Sequence, residues 1–301
     1  MSDPAAPAPG LLPRWARRDH PIVIRELAAL PVFLGRRGRL RNKSLVMGLA
    51  ALSFVPWSCL CGGVLWPLLL VPLSWLPLIW AAPVINREVE ARTWDDLRLT
   101  PYSVREIVLA KLSAVAYRLS PLLVFVLVGQ LASGALLGLG WAVFFGSTAI
   151  YVNGTVVRQP ALFSGDLAAL LGTLALAGSQ LLLTPFASLV EFLGNIVIGG
   201  LASSLTVSRP LAYIGAFVLR LFFSVVTLAL LFVAALALTQ RPEAALVLLA
   251  LTGLGSSPGL LLMTPPRDVA ASLAVALLLA GMQVAVLGAA LGLLFWRAER
   301  L

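Results

Sequence analysis

The chain has very few of the residues that carry catalysis. Among its 301 residues, one is a histidine (His20) and two are lysines (Lys43 and Lys111). A single histidine excludes the HExxH zinc motif, which needs two. Neither lysine follows a glycine, so the chain has no GK[ST] phosphate-binding loop, and it also lacks the GxSxG nucleophile elbow. These absences exclude an HExxH metallopeptidase, a hydrolase with that elbow, and ATP hydrolysis at a Walker A site on this chain.

Cysteine and charge are also scarce. Cys59 and Cys61 lie two residues apart in an apolar run, a spacing that suits two small buried side chains better than a disulfide or a metal site. Charged residues make up 12% of the chain and hydrophobic residues 60%, with a mean hydropathy of +0.97. A water-soluble domain carries about 25% charged residues, so this composition predicts an integral membrane protein.

The positive charge is concentrated at the start of the chain. Residues 1–43 hold nine of the 22 arginines and lysines against three acidic residues. A basic segment before the first apolar run is typical of the cytoplasmic side of a membrane, and it could also attract anionic lipid headgroups. Nucleic-acid binding is disfavoured because the rest of the chain is expected to lie in lipid. We expect an interfacial helix in this segment, beginning at Pro21 and interrupted by Pro31.

The rest of the chain, residues 44–301, forms one transmembrane domain in this interpretation. One span needs about 20 apolar residues, and the apolar runs predict an all-α polytopic protein with six spans and both termini in the cytoplasm. Two apolar stretches, 139–185 and 243–263, either cross the membrane, which would give eight spans, or are re-entrant. Pro185 is expected to break the run 165–205 into two helices. The six predicted spans are 45–63, 65–85, 112–138, 186–205, 211–238 and 269–296.

The polar segment 86–111 interrupts the apolar pattern between the second and third spans. Thr93 and Asp96 have the spacing of a capping box, which predicts a short helix starting at Trp94. Pro101 cannot continue that helix. Trp94 and Leu97 fall on one face of the helix, three residues apart, and Asp95, Asp96 and Arg98 are polar.

A second capping box, Ser103 with Glu106, directly precedes an apolar run. It predicts the start of the long helix that becomes the third span. Lys111 and Arg118 lie in the first part of that helix. We expect their long side chains to reach the membrane surface with their charged ends.

Two ionisable residues lie deep in apolar segments. Glu191 and Arg220 are candidate functional residues because charged groups are costly in lipid. The simpler interpretation is that they are paired or hydrated inside the bundle. No metal site is predicted.

The segment 86–111 resembles a known family. Its motif is similar to the E-x-E-x-G-T-(L/W)-(E/D)-x-L-x-x-T-P-x-S-x-x-E-I-(V/L)-x-(G/A)-K pattern of ABC-2-type transporter permeases, although Arg92 stands where glycine is common and Asp96 where an apolar residue is common. The runs Arg25-Glu26-Leu27 and 200–212 also look like parts of that family. The matching residues are Glu88, Glu90, Thr93, Trp94, Asp95, Leu97, Leu99, Thr100, Pro101, Ser103, Glu106, Ile107, Val108 and Lys111.

The resemblance implies that residues 86–111 include a cytoplasmic coupling helix that contacts a separate ATPase subunit. The chain would then be the membrane subunit of an ATP-driven exporter in the cell membrane. It would pair with a second permease copy or a sister permease and bind no cofactor of its own, with ATP and Mg²⁺ on the partner ATPase. It would not itself be an enzyme, and the substrate cannot be read from the sequence.

Two other functions stay open at this point. The chain could be a membrane scaffold or anchor without transport, although its proline-rich second span is typical of movable, broken helices. It could also be an integral membrane enzyme that uses Glu191 and Asp166 as acids. The lack of nucleophile and metal-ligand motifs argues against the enzyme.

Overall fold

The described part of the chain is mainly helical. The computed structural model describes residues 13–29, 43, 45–53, 75–144, 147–152, 155–160, 167–239 and 269–301. A single 3-10 turn over Arg14–Ala16 precedes the first α-helix. The α-helices with both ends among the described residues are α1 (Pro21–Ala29), α2 (Asn86–Glu90), α3 (Trp94–Arg98), α4 (Val104–Phe144), α5 (Leu167–Leu205), α6 (Arg209–Thr239) and α7 (Val269–Ala298). Residues 45–53 and 75–81 are also helical.

Three helices are long and apolar enough to cross a membrane, which makes the chain a membrane protein. They are the described stretches Val104–Ala132, Ser188–Leu205 and Arg209–Val226. The helix α1 begins at Pro21, as predicted. Residues 54–74 and 240–268, which contain about half of each of the first two predicted spans and the ambiguous stretch 243–263, lie outside the described residues. Six spans therefore stay a prediction.

The helices around the ambiguous stretch 139–185 are longer than predicted. The helix α4 has 41 residues and α5 has 39, so each is about 60 Å long, twice the thickness of the hydrocarbon core. The expected break at Pro185 is wrong, because α5 continues through this residue. A proline removes one helical hydrogen bond, and neighbouring helices can compensate for the freed carbonyl in a membrane bundle.

A small β-hairpin joins α4 to α5, so the described part is not purely helical. Strands β1 (Ser147–Val152) and β2 (Thr155–Pro160) pair antiparallel, from Ser147 opposite Pro160 to Val152 opposite Thr155. Only Asn153 and Gly154 lie between the strands, and Asn-Gly is the commonest dipeptide for a two-residue hairpin connection. The expectation of an all-α chain missed this hairpin.

The helix α5 is the centre of the bundle and contacts α4, α6 and α7. Two adjacent glycines on α5 allow this close packing. A Cβ atom on Gly199 would lie 2.7 Å from the Leu78 carbonyl oxygen and 2.7 Å from the Ala81 Cβ atom, and a Cβ on Gly200 would lie 2.9 Å from Leu112. The helical residues 75–81 and α4 can therefore approach α5 only because these positions lack a side chain.

We expect Gly199→Ala to lower the free energy of unfolding by about 1–3 kcal/mol, because the added methyl group would have to displace backbone. Thermal unfolding in detergent, followed by circular dichroism, measures the effect. The matched control is Gly194→Ala on the same helix, where a Cβ would meet nothing within 4 Å. Equal unfolding temperatures for the two variants would contradict the close approach at Gly199.

Candidate functional site

The side chain of Lys111 is fully buried between two carboxylates near the start of α4. Its ammonium group donates to Glu26 Oε1 at 2.5 Å and to Glu88 Oε1 at 2.9 Å. The ammonium has no exposed surface. The expectation that Lys111 reaches the membrane surface is therefore wrong, because two buried acids from other segments satisfy its charge in place.

Three further side chains complete this cluster, which we call the charged junction. Arg25 donates to Glu88 Oε1 at 3.0 Å, Arg87 donates to Glu26 Oε2 at 2.5 Å, and the Thr93 hydroxyl donates to Glu88 Oε2. The six residues come from α1, α2, the start of α3 and α4. Breaking a buried pair leaves an uncompensated charge, so the junction holds these segments in one arrangement.

The environment of Glu88 favours its charged form. Burial alone raises the pKa of this carboxyl. The hydroxyl bond from Thr93 and the positive charges of Lys111 and Arg25 outweigh burial and hold the pKa below its ordinary value of 4.5. Glu88 is therefore ionised at neutral pH and complements the three cations around it.

The Thr93 contact also corrects a prediction about α3. The Thr93 side chain does not cap α3, and its backbone angles, φ −97° and ψ 0°, are not the extended ones of a typical N-cap. The hydroxyl is instead used by Glu88. One of the two hydrogen bonds of the second predicted capping box is confirmed, because Ser103 Oγ accepts the Glu106 N–H at 3.2 Å.

The helix α2 is also attached to the turn between α5 and α6. Ser203 Oγ accepts the backbone N–H groups of Ile85 and Asn86, both at 2.9 Å. The amide group of Asn86 donates to Thr206 Oγ1 at 2.9 Å and to the Ser208 carbonyl at 3.2 Å. These four hydrogen bonds hold the start of α2 against the end of α5 and the turn that follows it.

Glu90, at the other end of α2, binds the first residue of α6. It accepts the Arg209 N–H at 2.9 Å and pairs with the guanidinium of Arg209 at 2.6 Å. The helix α2 is thus fixed at both ends to the same interhelical turn.

The short helix α3 ends at Arg98, before Pro101, as predicted. Thr100 contributes to this end, since its hydroxyl donates to the Leu97 carbonyl at 2.5 Å. Trp94 and Leu97 share a face, and both are buried in the main apolar core. The opposite face is exposed and carries Asp95, Asp96, Arg98, Leu99 and Pro101.

Arg92, between α2 and α3, has a positive φ of 57°. This left-handed conformation costs an L-residue about 1–2 kcal/mol and suits glycine. The position is the one at which the resembling family commonly has glycine.

The C-terminal end of α7 contacts the same region. Glu299 pairs with Arg105 at 3.0 Å, and the Glu299 carbonyl accepts from Arg98 at 3.4 Å. Arg297 donates to the Ser204 carbonyl at 3.3 Å. Together with the charged junction, these contacts gather α1, α2, α3 and the ends of α4, α5, α6 and α7 at one end of the bundle, the polar end.

The two candidates in the apolar segments pair with each other. Arg220 on α6 donates to Glu191 Oε1 on α5. Glu191 lies twelve residues before Ser203 on α5, which places the pair about 18 Å along the helix from the polar end. Gln130 on α4 donates to Ser188 at 2.7 Å, one helical turn before Glu191. These contacts join α4, α5 and α6 inside the apolar part.

Sequence reasoning found only part of the polar end. The charged junction includes the predicted Glu88, Thr93 and Lys111, but Arg25, Glu26 and Arg87 were not singled out as site residues. A carboxylate such as Glu26 within an apolar helix is itself a signal, because a buried charge needs a partner. Asn86 and Ser203 carried no such signal, since their pairing spans more than 100 residues of sequence.

Comparison with known proteins gives no family assignment. The chain matches no protein-family model, no curated protein and no solved structure.

We expect Lys111→Met to lower the free energy of unfolding by about 3–5 kcal/mol, because Glu26 and Glu88 would lose their shared buried cation. The matched control is Arg105→Met on the same helix, which breaks an exposed ion pair and should cost less than about 1 kcal/mol. Chemical or thermal unfolding in detergent gives both values. Similar decreases in the free energy of unfolding for the two variants would contradict the claim that the charged junction stabilises the fold.

Acidification should weaken the junction. Because the pKa of Glu88 is lowered on folding, its contribution to stability is complete above about pH 4.5 and is lost as the pH falls through the lower folded value. The unfolding temperature of the wild type should therefore fall as the pH is lowered from neutral to below 4.5. Glu88→Gln should show a smaller fall than Glu106→Gln, which keeps the junction intact. A pH profile unchanged by Glu88→Gln would contradict this prediction.

Arg92→Gly should raise the free energy of unfolding by about 1 kcal/mol, because glycine adopts the positive φ without the clash of a Cβ atom. Arg92→Ala is the matched control, since it removes the same side chain but keeps the Cβ. The difference in unfolding temperature between the two variants isolates the backbone effect. A variant with alanine as stable as the one with glycine would contradict it.

Proposed function

We propose that the chain is the membrane subunit of an ATP-driven exporter of the ABC-2 type, and that it forms part of the translocation pathway. The observation that carries this proposal is that side chains of the segment 86–111 bind several neighbouring helices at the polar end. A segment that binds α1, the turn between α5 and α6, and the end of α7 can pass a displacement to several membrane helices at once. This is the mechanical property that a coupling segment needs.

The topology that goes with this function has six spans with both termini in the cytoplasm. The excess of arginine and lysine at the polar end supports a cytoplasmic position for that end. The long apolar helices α4, α5 and α6 would be the third, fourth and fifth spans. ATP and Mg²⁺ would bind the partner ATPase, and a second permease copy or a sister permease would complete the pathway.

Only the exposed residues in and just after α3 could contact an ATPase directly. Trp94 and Leu97 are buried in the chain's own core, so their role in coupling is to hold α3 against the bundle. The side chains available to a partner are Asp95, Asp96 and Leu99, and Leu99 is 86% exposed. We propose that Leu99 enters an apolar groove on the ATPase and that basic residues beside the groove pair with the two aspartates.

Movement would follow from the same contacts. When the ATPase closes on ATP, a displaced α3 pulls on α2 and α4 through the charged junction and on α6 through Glu90 and Arg209. The ion pair between Glu191 and Arg220 lies on the two helices that such a movement would shift. Opposite tilts of these helices would favour inward-facing or outward-facing states of the pathway.

Site-specific photo-crosslinking tests the proposed contact. A photoreactive amino acid at Leu99, in the tagged chain expressed in its own cells, should crosslink to a subunit of ATPase size with a Walker A motif. The matched control is the same amino acid at Val225, an exposed apolar position on α6. We expect no ATPase crosslink there, because this position faces the lipid or another membrane chain.

Crosslinks at Leu99 to lipid alone would contradict the assignment, and so would the same products from both positions. The double variant Trp94→Ala/Leu97→Ala is a weaker test than the sequence alone implies. Because both side chains are buried, it would disrupt the core as well as any contact with a partner.

A further inference from the structure

The side chains around Arg118 mark the level at which the bundle enters the membrane. Arg118 on α4 is buried and lies 4.5 Å above the ring of Trp80, so it does not reach the surface as the sequence suggested. From Leu119 to the end of α4 at Phe144 no residue is ionisable. That stretch is about 39 Å long, enough to cross the hydrocarbon core. Tryptophan and tyrosine concentrate at such a boundary.

The start of the described chain is fastened to α4 at the same level. The Ser113 hydroxyl donates to the Trp15 carbonyl at 3.2 Å, and the Tyr117 hydroxyl donates to the Ala16 carbonyl. The guanidinium of Arg18 lies 4.8 Å from the centre of the Tyr117 ring. Arg18 is therefore an exposed cation held beside the last turn before the apolar part of α4.

We propose that Arg18, stacked on Tyr117, binds the phosphate of an anionic phospholipid in the adjacent leaflet. The guanidinium can offer its N–H donors to a phosphate while its flat face stays on the tyrosine ring. The charge of the N-terminal sequence also favours an anion, because residues 1–43 hold nine basic and three acidic residues. The nearby exposed Asp19 is outweighed by Arg17 and Arg18 together.

The lipid acyl chains would then lie along apolar side chains of α4 that leave part of their surface exposed. The part of α4 that follows Tyr117 has half-buried apolar residues from Leu122 to Val128. A phospholipid can contact the Arg18 guanidinium with its phosphate and these apolar side chains with its acyl chains, whereas a free phosphate ion can contact only the guanidinium. This site is independent of the proposed transport function, since it needs neither the ATPase nor a substrate.

Native mass spectrometry of the purified chain tests the proposal. Equal amounts of phosphatidylglycerol and phosphatidylcholine are added to the protein in detergent. After the detergent is removed in the mass spectrometer, the ratio of the two lipids that stay bound is measured. We expect phosphatidylglycerol to be enriched on the wild type and the enrichment to fall about fivefold in Arg18→Gln, as expected for the loss of one basic residue at an anionic surface. The matched control is Arg98→Gln, an exposed arginine on α3, which should keep the enrichment.

Three results would overturn the proposal. Arg18→Gln could keep the full enrichment, or Arg98→Gln could lose as much as Arg18→Gln, which would show a general effect of net charge. Millimolar glycerol phosphate could displace the lipid completely, which would identify a site for small anions rather than for a membrane lipid. An unfolding temperature of Arg18→Gln equal to that of the wild type shows that the loss of enrichment does not come from disturbed folding.

Discussion

The arrangement of the polar end depends on one buried ammonium group. Lys111 has no exposed surface and is shared by Glu26 and Glu88, which come from segments more than 60 residues apart in sequence. Arg87 and Arg25 also pair with these two carboxylates, but both arginines are partly exposed, whereas the Lys111 side chain is fully buried between the acids. Losing this cation would leave buried negative charge undercompensated, which costs several kcal/mol. The helix α1, the helix α2 and the first turns of α4 therefore form one body, and the positions of α3 and of the turn between α5 and α6 follow from it.

The contacts of this body explain why residues 86–111 are polar in an otherwise apolar chain. Several charged side chains of this segment form ion pairs within the protein instead of pointing freely into solvent. Glu88 forms ion pairs within the charged junction, Glu90 pairs with Arg209, and Arg105 pairs with Glu299. The outer side of α3 stays exposed, with Asp95, Asp96 and Arg98 on the helix and Leu99 just after it. We propose that an external ATPase acts on the bundle through this surface.

Much of the local structure could be predicted from the sequence. The helix start at Ser103, the end of α3 before Pro101 and the shared face of Trp94 and Leu97 all follow from rules that act within a few residues. The errors came where tertiary contacts override such rules. Thr93 has the spacing of a cap but bonds to Glu88, Pro185 lies inside a continuous helix, and Lys111 is buried where its long side chain suggested exposure. The partners of Lys111 and Asn86 could not be predicted because no local pattern specifies contacts across such distances.

The central claim is that the polar end of this bundle is built to receive an ATPase. Affinity purification of the tagged full-length chain in mild detergent, followed by mass spectrometry of the copurifying proteins, tests it most directly. The account predicts a stoichiometric partner with a Walker A motif. A folded, monodisperse chain that reproducibly copurifies with no such ATPase would contradict it and would favour a membrane scaffold.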